Sequence, residues 1–192
     1  MANLAVLASG KGTNFDVIRK ELAETDHELV CLICDRKHAL VLKHAEEYGV
    51  PAFHVSYQGR SRQDAELEMI SYLKTFGADL IAFAGFMRVV TKVFIDAFGG
   101  NIINIHPTLL PRFAGAGGIE RSYRSGDKKL GITIHRVTYD LDSGPVLLQR
   151  SFSRSGGENL EEIETRIHTL EYESYSKVII QELDAIDAEK RQ

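Results

Sequence analysis

Asp79-Leu-Ile-Ala-Phe-Ala84, followed at once by Gly85-Phe-Met-Arg88, is the segment from which the rest of the architecture unfolds. Its apolar residues run without alternation. That marks a strand covered on both faces, the kind found inside parallel sheets. Gly85 then lets the chain turn sharply. Upstream, Ser61 to Phe76 reads as a long amphipathic helix closed by Gly77, with Leu67, Ile70, Tyr72 and Leu73 as its apolar face. Downstream, a helix near Lys92 to Phe98 leads to Asn101-Ile-Ile-Asn-Ile-His-Pro-Thr-Leu-Leu-Pro111. The first part of that run alternates as a strand does, and Pro107 and Pro111 end it.

Towards the N-terminus the alternation of elements repeats. Asn3 to Ala8 predicts a strand, Asn14 to Glu24 a helix and Glu28 to Cys34 a second strand. His38 to Tyr48 has helical spacing, with Leu40, Leu42, Ala45 and Tyr48 as its inward face, and Gly49 ends it. Pro51 to Val55 is a short strand. After Pro111 the pattern changes. A Gly- and Pro-rich loop, Leu109 to Gly118, precedes a short helix at Ile119 to Arg124. Strands are expected at Gly131 to Val137 and Val146 to Phe152. The short link between them implies antiparallel pairing. A charged helix runs from about Asn159 to Ala188. The expected fold is α/β: a doubly wound, mostly parallel sheet with helices on both faces and an antiparallel C-terminal edge.

The 192 residues are 44% hydrophobic and 26% charged with a net charge of −4, the composition of an ordinary globular domain. No dense basic stripe is present, which disfavours nucleic acid as a partner, since phosphate contacts need clustered Lys and Arg. No signal peptide and no apolar run of membrane length is read, so a cytoplasmic location without membrane partners is expected. Cys31 and Cys34 fall three apart on a strand, which points them to opposite faces. No second cysteine pair completes a zinc site, and no pair of His residues has metal-ligand spacing, so no metal is expected.

Three segments at the carboxyl edge of the expected sheet, and a fourth between its last two strands, carry the candidate chemistry, because open α/β sheets bind ligands at that edge. Asn104 and His106 project to the same side of a strand end. An amide and an imidazole so placed can hydrogen-bond a developing oxyanion and move a proton. Ser9-Gly-Lys-Gly-Thr-Asn14 joins a strand to a helix and points backbone N–H groups at an anion. It lacks the spacing of a Walker loop, and Phe15 stands where a dinucleotide fingerprint has its third glycine. A single phosphate suits it; a tight turn without a ligand is the alternative. In Gly85-Phe-Met-Arg88, Arg88 can meet a carboxylate while Phe86 and Met87 line an apolar slot for a flat ring; ordinary core packing at a strand end is the alternative. Asp142 lies in Asp142-Ser-Gly-Pro145 between two strands. A buried Asp near a His orients it and stabilises its charged form; alone, the segment reads as an acidic turn.

Together Ala8-Ser-Gly-Lys-Gly-Thr-Asn14, Ala84-Gly-Phe-Met-Arg88, Asn104-Ile-His-Pro-Thr-Leu-Leu-Pro111 and Asp140-Leu-Asp-Ser-Gly-Pro145 resemble the folate-dependent formyltransferases over nearly the whole chain. The resemblance implies formyl transfer from 10-formyltetrahydrofolate, as a co-substrate, to an amine, and the first piece implies glycinamide ribonucleotide as the acceptor. It implies Asn104, His106 and Asp142 as catalytic residues. Gly12, Thr13 and Asn14 then match a phosphate site, with Glu171 contacting the same substrate. Arg62, Met87, Arg88, Val89, Val90, Asn104 and Asp140 match the folate side, both arginines near its glutamate tail. The loop from Val137 to Asp142 matches the wall around the pterin. Residues 1–192 are then one domain, with 1–100 the nucleotide and phosphate half and 101–192 the catalytic and folate half. Either a monomer or a homodimer is compatible with the sequence.

The chain departs from the family pattern at Ala114-Gly-Ala-Gly-Gly118, where Pro and His are usual at 114 and 117, and at Tyr172-Glu-Ser-Tyr-Ser176. Hydrolysis of the formyl folate is the competing activity. It ranks second because that family carries an extra N-terminal domain, whereas this sequence starts at the first strand. Formyl transfer to another amine ranks third, and a catalytically silent binding protein is the remaining alternative.

Overall fold

The computed structural model describes residues 1–191. Strands β1 (Asn3–Ala8), β2 (Glu28–Cys34), β3 (Ala52–His54), β4 (Leu80–Phe83), β5 (Ile102–His106), β6 (Lys129–Arg136) and β7 (Val146–Ser153) form one seven-stranded sheet in the order β3-β2-β1-β4-β5-β6-β7. Neighbours from β3 to β5 run parallel; β6 and β7 are antiparallel additions. The expected fold class is the observed one.

Helices α1 (Thr13–Leu22), α2 (Leu40–Glu47) and α6 (Leu160–Lys190) bury one face of the sheet, with α5 (Gly118–Arg124) beside them. Helices α3 (Arg62–Thr75) and α4 (Lys92–Asp96) bury the other. Each face therefore has its own apolar core, and β1, β4 and β5 contribute to both. Cys34 belongs to the first core and Cys31 to the second, as a period of two requires. Burial pushes the Cys31 thiol up to about 12. Among the described residues no helix is long and apolar enough to cross a membrane.

Two helix faces differ from expectation. In α2 the buried residues are Val41 and Ala45, while Leu40 and Tyr48 are exposed. The close approach of Val41 to Gly12 sets this rotation: a Cβ on Gly12 would lie 2.7 Å from Val41 Cγ2. In α3 the buried stripe is Ala65, Glu66, Met69, Ile70 and Leu73, and Leu67 is exposed. Position 67 lies about 200° around the helix from Ala65, so it cannot share that stripe. Glu66 can be buried because it accepts hydrogen bonds from the Thr91 backbone at 3.0 Å and from the Thr91 hydroxyl.

Strand order reverses between β1 and β4, whose carboxyl ends are tied together. Ser9 N donates to the Gly85 carbonyl at 3.2 Å, and Met87 N donates to Ser9 Oγ at 2.9 Å. The crevice at such a reversal is where open sheets place ligands.

Candidate active site

The end of β5 presents Asn104 and His106 on one side, because Ile103 and Ile105 pack into the opposite core. His135 on β6 is the direct cross-strand partner of Asn104. Asn104 Nδ2 lies 3.3 Å from His135 Nε2, and His135 Nδ1 lies 2.9 Å from the Arg136 carbonyl. The carbonyl can only accept, so it places the imidazole proton on Nδ1. The other nitrogen then accepts from the Asn104 amide. Burial holds the His135 pKa below its ordinary value, which keeps that neutral form. One amide hydrogen of Asn104 is thereby used and the second is left for a ligand.

His106 is held from both ends. Its Nδ1 lies 3.3 Å from Asp142 Oδ2, and its Nε2 lies 3.1 Å from the Phe113 carbonyl. Each nitrogen faces an oxygen acceptor, an arrangement that an imidazolium satisfies at both ends. The Asp142 side chain is 7% exposed. Its Oδ2 also accepts from Gly115 N at 2.8 Å. Asp142 has φ 51°, a left-handed conformation that Asp tolerates better than most residues. The carboxylate, imidazole and amide named from the sequence thus meet at one place.

The loop that departs from the family pattern forms part of this place. Gly115 anchors Asp142, and Gly115 to Gly118 line the cavity. Arg121 braces it by donating to the carbonyls of Phe113 (2.8 Å) and Ala114 (2.6 Å). Neither Arg121 nor His135 was among the expected site residues. For His135 the only signal was its place in the alternating strand Gly131 to Val137, and its pairing with Asn104 came with the structure. For Arg121 there was none, since an arginine on a short surface helix looks like many others.

A cavity of about 280 Å³ opens from these groups. Met87, Arg88, Val89, Val90, Asn104, His106, Asp140 and Asp142 all line it. Met87, Val89, Tyr139 and Leu141 leave apolar surface exposed around its mouth, which suits a flat, largely apolar ring system. Arg62 does not line the cavity; it is exposed at the first residue of α3.

Gly12, Thr13, Asn14 and Glu171 form a separate group outside the cavity lining. Gly12, with φ 89°, caps α1 and leaves the first backbone N–H groups of that helix without intrahelical partners. Asn14 Nδ2 donates to the buried Glu171 Oε2 at 3.2 Å, which joins the turn to α6. His168 Nδ1 lies 3.0 Å from the same oxygen, and this bond holds the His168 pKa above its ordinary value.

Residues 2–179 match the formyl transferase family. Phosphoribosylglycinamide formyltransferase of Bacillus subtilis is 39% identical over 184 residues, which cover 94% of each chain. The protein of the same name from Escherichia coli is 31% identical, over 92% of this chain and 85% of its own. The solved structure of glycinamide ribonucleotide transformylase 1 from Geobacillus kaustophilus superimposes with a TM-score of 0.92 at 40% identity, covering 95% of this chain and 99% of that one. With matched sequence across both halves of the sheet and all the elements that carry the cavity, the chain belongs to the formyl transferase family.

Proposed function

We propose that this enzyme transfers the formyl group of 10-formyltetrahydrofolate to the amine of glycinamide ribonucleotide, the acceptor in the names of its relatives. The observation that carries the reading is the imidazole of His106, set between Asp142 and the Phe113 carbonyl beside the half-used amide of Asn104. The ribonucleotide's phosphate is assigned to Gly12, Thr13 and Asn14, with Glu171 alongside. The folate is assigned to the cavity, its tail reaching Arg88 and Arg62. Both substrates are small molecules, and the reading places the reaction in the cytoplasm.

In the reaction the neutral amine attacks the formyl carbon. A C–N bond forms and the carbonyl π pair moves to oxygen, giving a tetrahedral oxyanion. The free Asn104 N–H donates to it. His106 Nε2, protonated, exchanges the Phe113 carbonyl for the same oxygen. Asp142 stabilises the imidazolium from the other side. The attacking nitrogen then loses a proton, the bond from the formyl carbon to the folate nitrogen breaks, and that nitrogen takes the proton. The products are the formylated amine and tetrahydrofolate.

The test mixes the protein with a stable 10-formyl folate analogue, with and without glycinamide ribonucleotide, and follows the absorbance of the deformylated folate. Release that depends on the amine is expected. Release without amine means hydrolysis. No release, with a thermal shift on folate addition, means a silent binding protein.

A further inference from the structure

We propose that Asp35 is a positioning residue: it aims the guanidinium of Arg88 at the carboxylate tail of the donor substrate. The inference rests on the functional reading above for the identity of that substrate.

Asp35 follows the last residue of β2 at the carboxyl edge of the sheet. Its side chain is 1% exposed. Oδ2 accepts from Arg88 Nε at 2.6 Å, whereas Oδ1 is buried with no hydrogen-bond partner. Arg88 lines the cavity, and its side chain is 45% exposed. Its guanidinium carbon lies 4.8 Å from the centre of the Tyr57 ring, which covers one face of the group. No described residue accepts a hydrogen bond from either terminal nitrogen of Arg88.

For stability alone this arrangement is poor. A buried carboxylate with one orphaned oxygen, matched to a single half-exposed cation, loses more hydration than one such contact restores. For aiming an arginine it is effective. A guanidinium is a rigid plane with five N–H groups. Asp35 takes the Nε–H and Tyr57 fixes the plane. The remaining edge, bearing both terminal nitrogens, is left for a ligand. That edge matches a carboxylate in two parallel hydrogen bonds, and a free surface arginine would first have to be ordered to offer it. Arg88 and His106 both line this one cavity. A donor held in that cavity with its formyl group at His106 has Arg88 available to its anionic end.

The test uses the full chain, Asp35→Asn, Arg88→Met and the double variant. Two donors are compared: 10-formyltetrahydrofolate, and the primary amide of 10-formyltetrahydropteroate, which lacks the glutamate and every carboxylate. Steady-state constants and equilibrium binding of the two deformylated folates are measured together. Asp35→Asn is expected to raise KM and Kd for the glutamate-bearing compounds by about tenfold, the loss of roughly one charge-assisted hydrogen bond. The pteroate compounds and kcat should change less than about twofold, and adding Asp35→Asn to Arg88→Met should change nothing further. Equal weakening of both donors, no weakening of either, or additive losses in the double variant overturns the proposal. Wild-type protein that binds folate but transfers no formyl group defeats the functional reading instead, and the binding ratios still decide the role of Asp35.

Discussion

Neighbouring His106 and His135 show how surroundings divide the work between chemically identical side chains. His135 is kept neutral by burial, and the Arg136 carbonyl fixes its proton on Nδ1, so it can orient Asn104 but is a poor acid. His106 has acceptors on both nitrogens and a carboxylate behind it. Losing one oxyanion donor typically costs about 2.7–4 kcal/mol of transition-state stabilisation. Asn104→Ala and Asp142→Ala should each lower kcat by about a hundredfold or more; near wild-type turnover in either variant rejects the assignment. His168 makes a separate prediction. Its hydrogen bond to Glu171 raises its pKa above the ordinary 6.5, so the native state binds the proton more tightly than the unfolded chain does. The resulting stabilisation is complete below about pH 6.5 and disappears as the pH climbs through the raised native value. His168→Gln should therefore cost most stability in acid and least in alkali, as read from urea unfolding at several pH values. A cost that grows with pH would contradict the sign. Asn104 and His106 stood out in the sequence because polar residues at the end of an apolar strand, just before a proline, have few structural reasons to be there, whereas Asp142 alone reads as an acidic turn and joined them only through the combination of motifs. His135 was not singled out, because the pairing partner of a strand is a tertiary fact and the alternation names only a face.

At the scale of elements, the loops between strands hold the geometry, and each is anchored by a residue that looks unremarkable in sequence. The loop carrying Asp142 is pressed against β6 at Gly144. A Cβ there would lie 1.9 Å from the Arg136 carbonyl oxygen, a backbone atom with little room to move. Gly144→Ala should push the loop outward, destabilise the fold by about 1–3 kcal/mol as overpacking does, and separate Asp142 from His106. Turnover at least about tenfold lower is expected; an unchanged kcat would show that the loop accommodates the methyl group. The segment Met87 to Val90 is anchored differently. The fully buried Glu66 receives the Thr91 backbone and hydroxyl, and Thr91 begins α4. Glu66→Gln replaces one acceptor oxygen by a donor group facing those N–H and O–H groups. A cost of about 1–3 kcal/mol is expected, together with a higher KM for the formyl folate and an unchanged KM for the acceptor. Equal effects on both substrates would refute the anchoring role. Strand positions were legible here, since the apolar runs of β1, β2 and β4 have no other use, whereas the order of the strands in the sheet came with the structure. Helix faces were less legible. Leu67 carries an apolar signal that α3 does not bury, and Glu66 carries a polar one that it does. Periodicity counts side chains by type, whereas the sheet selects them by the partners they find.

Across the whole molecule, the long helix α6 links the two proposed substrate regions. It begins at a capping box, in which Asn159 Oδ1 accepts from Glu162 N at 3.0 Å and Glu162 Oε2 accepts from Asn159 N at 2.8 Å. Glu171 then reaches the turn that opens α1. One turn further, the fully buried Tyr175 donates toward the carbonyls of Phe83 at 3.0 Å and Ile103 at 3.1 Å. Those carbonyls belong to β4 and β5, the strands that lead to Arg88 and to Asn104. A single helix thus ties the proposed phosphate site to the strands of the proposed formyl-transfer centre. Tyr175→Phe keeps the ring in place and deprives buried carbonyls of a donor. Such a loss costs about 1–3 kcal/mol. The hydroxyl touches no reacting group, so the denaturant midpoint should fall at unchanged m-value while kcat at low temperature stays within about threefold of wild type, an effect under 1 kcal/mol on the barrier. A hundredfold loss of kcat would mean that the hydroxyl positions the reacting strands directly. An unshifted midpoint would mean that the carbonyls find other donors and that apolar packing alone holds α6 in register.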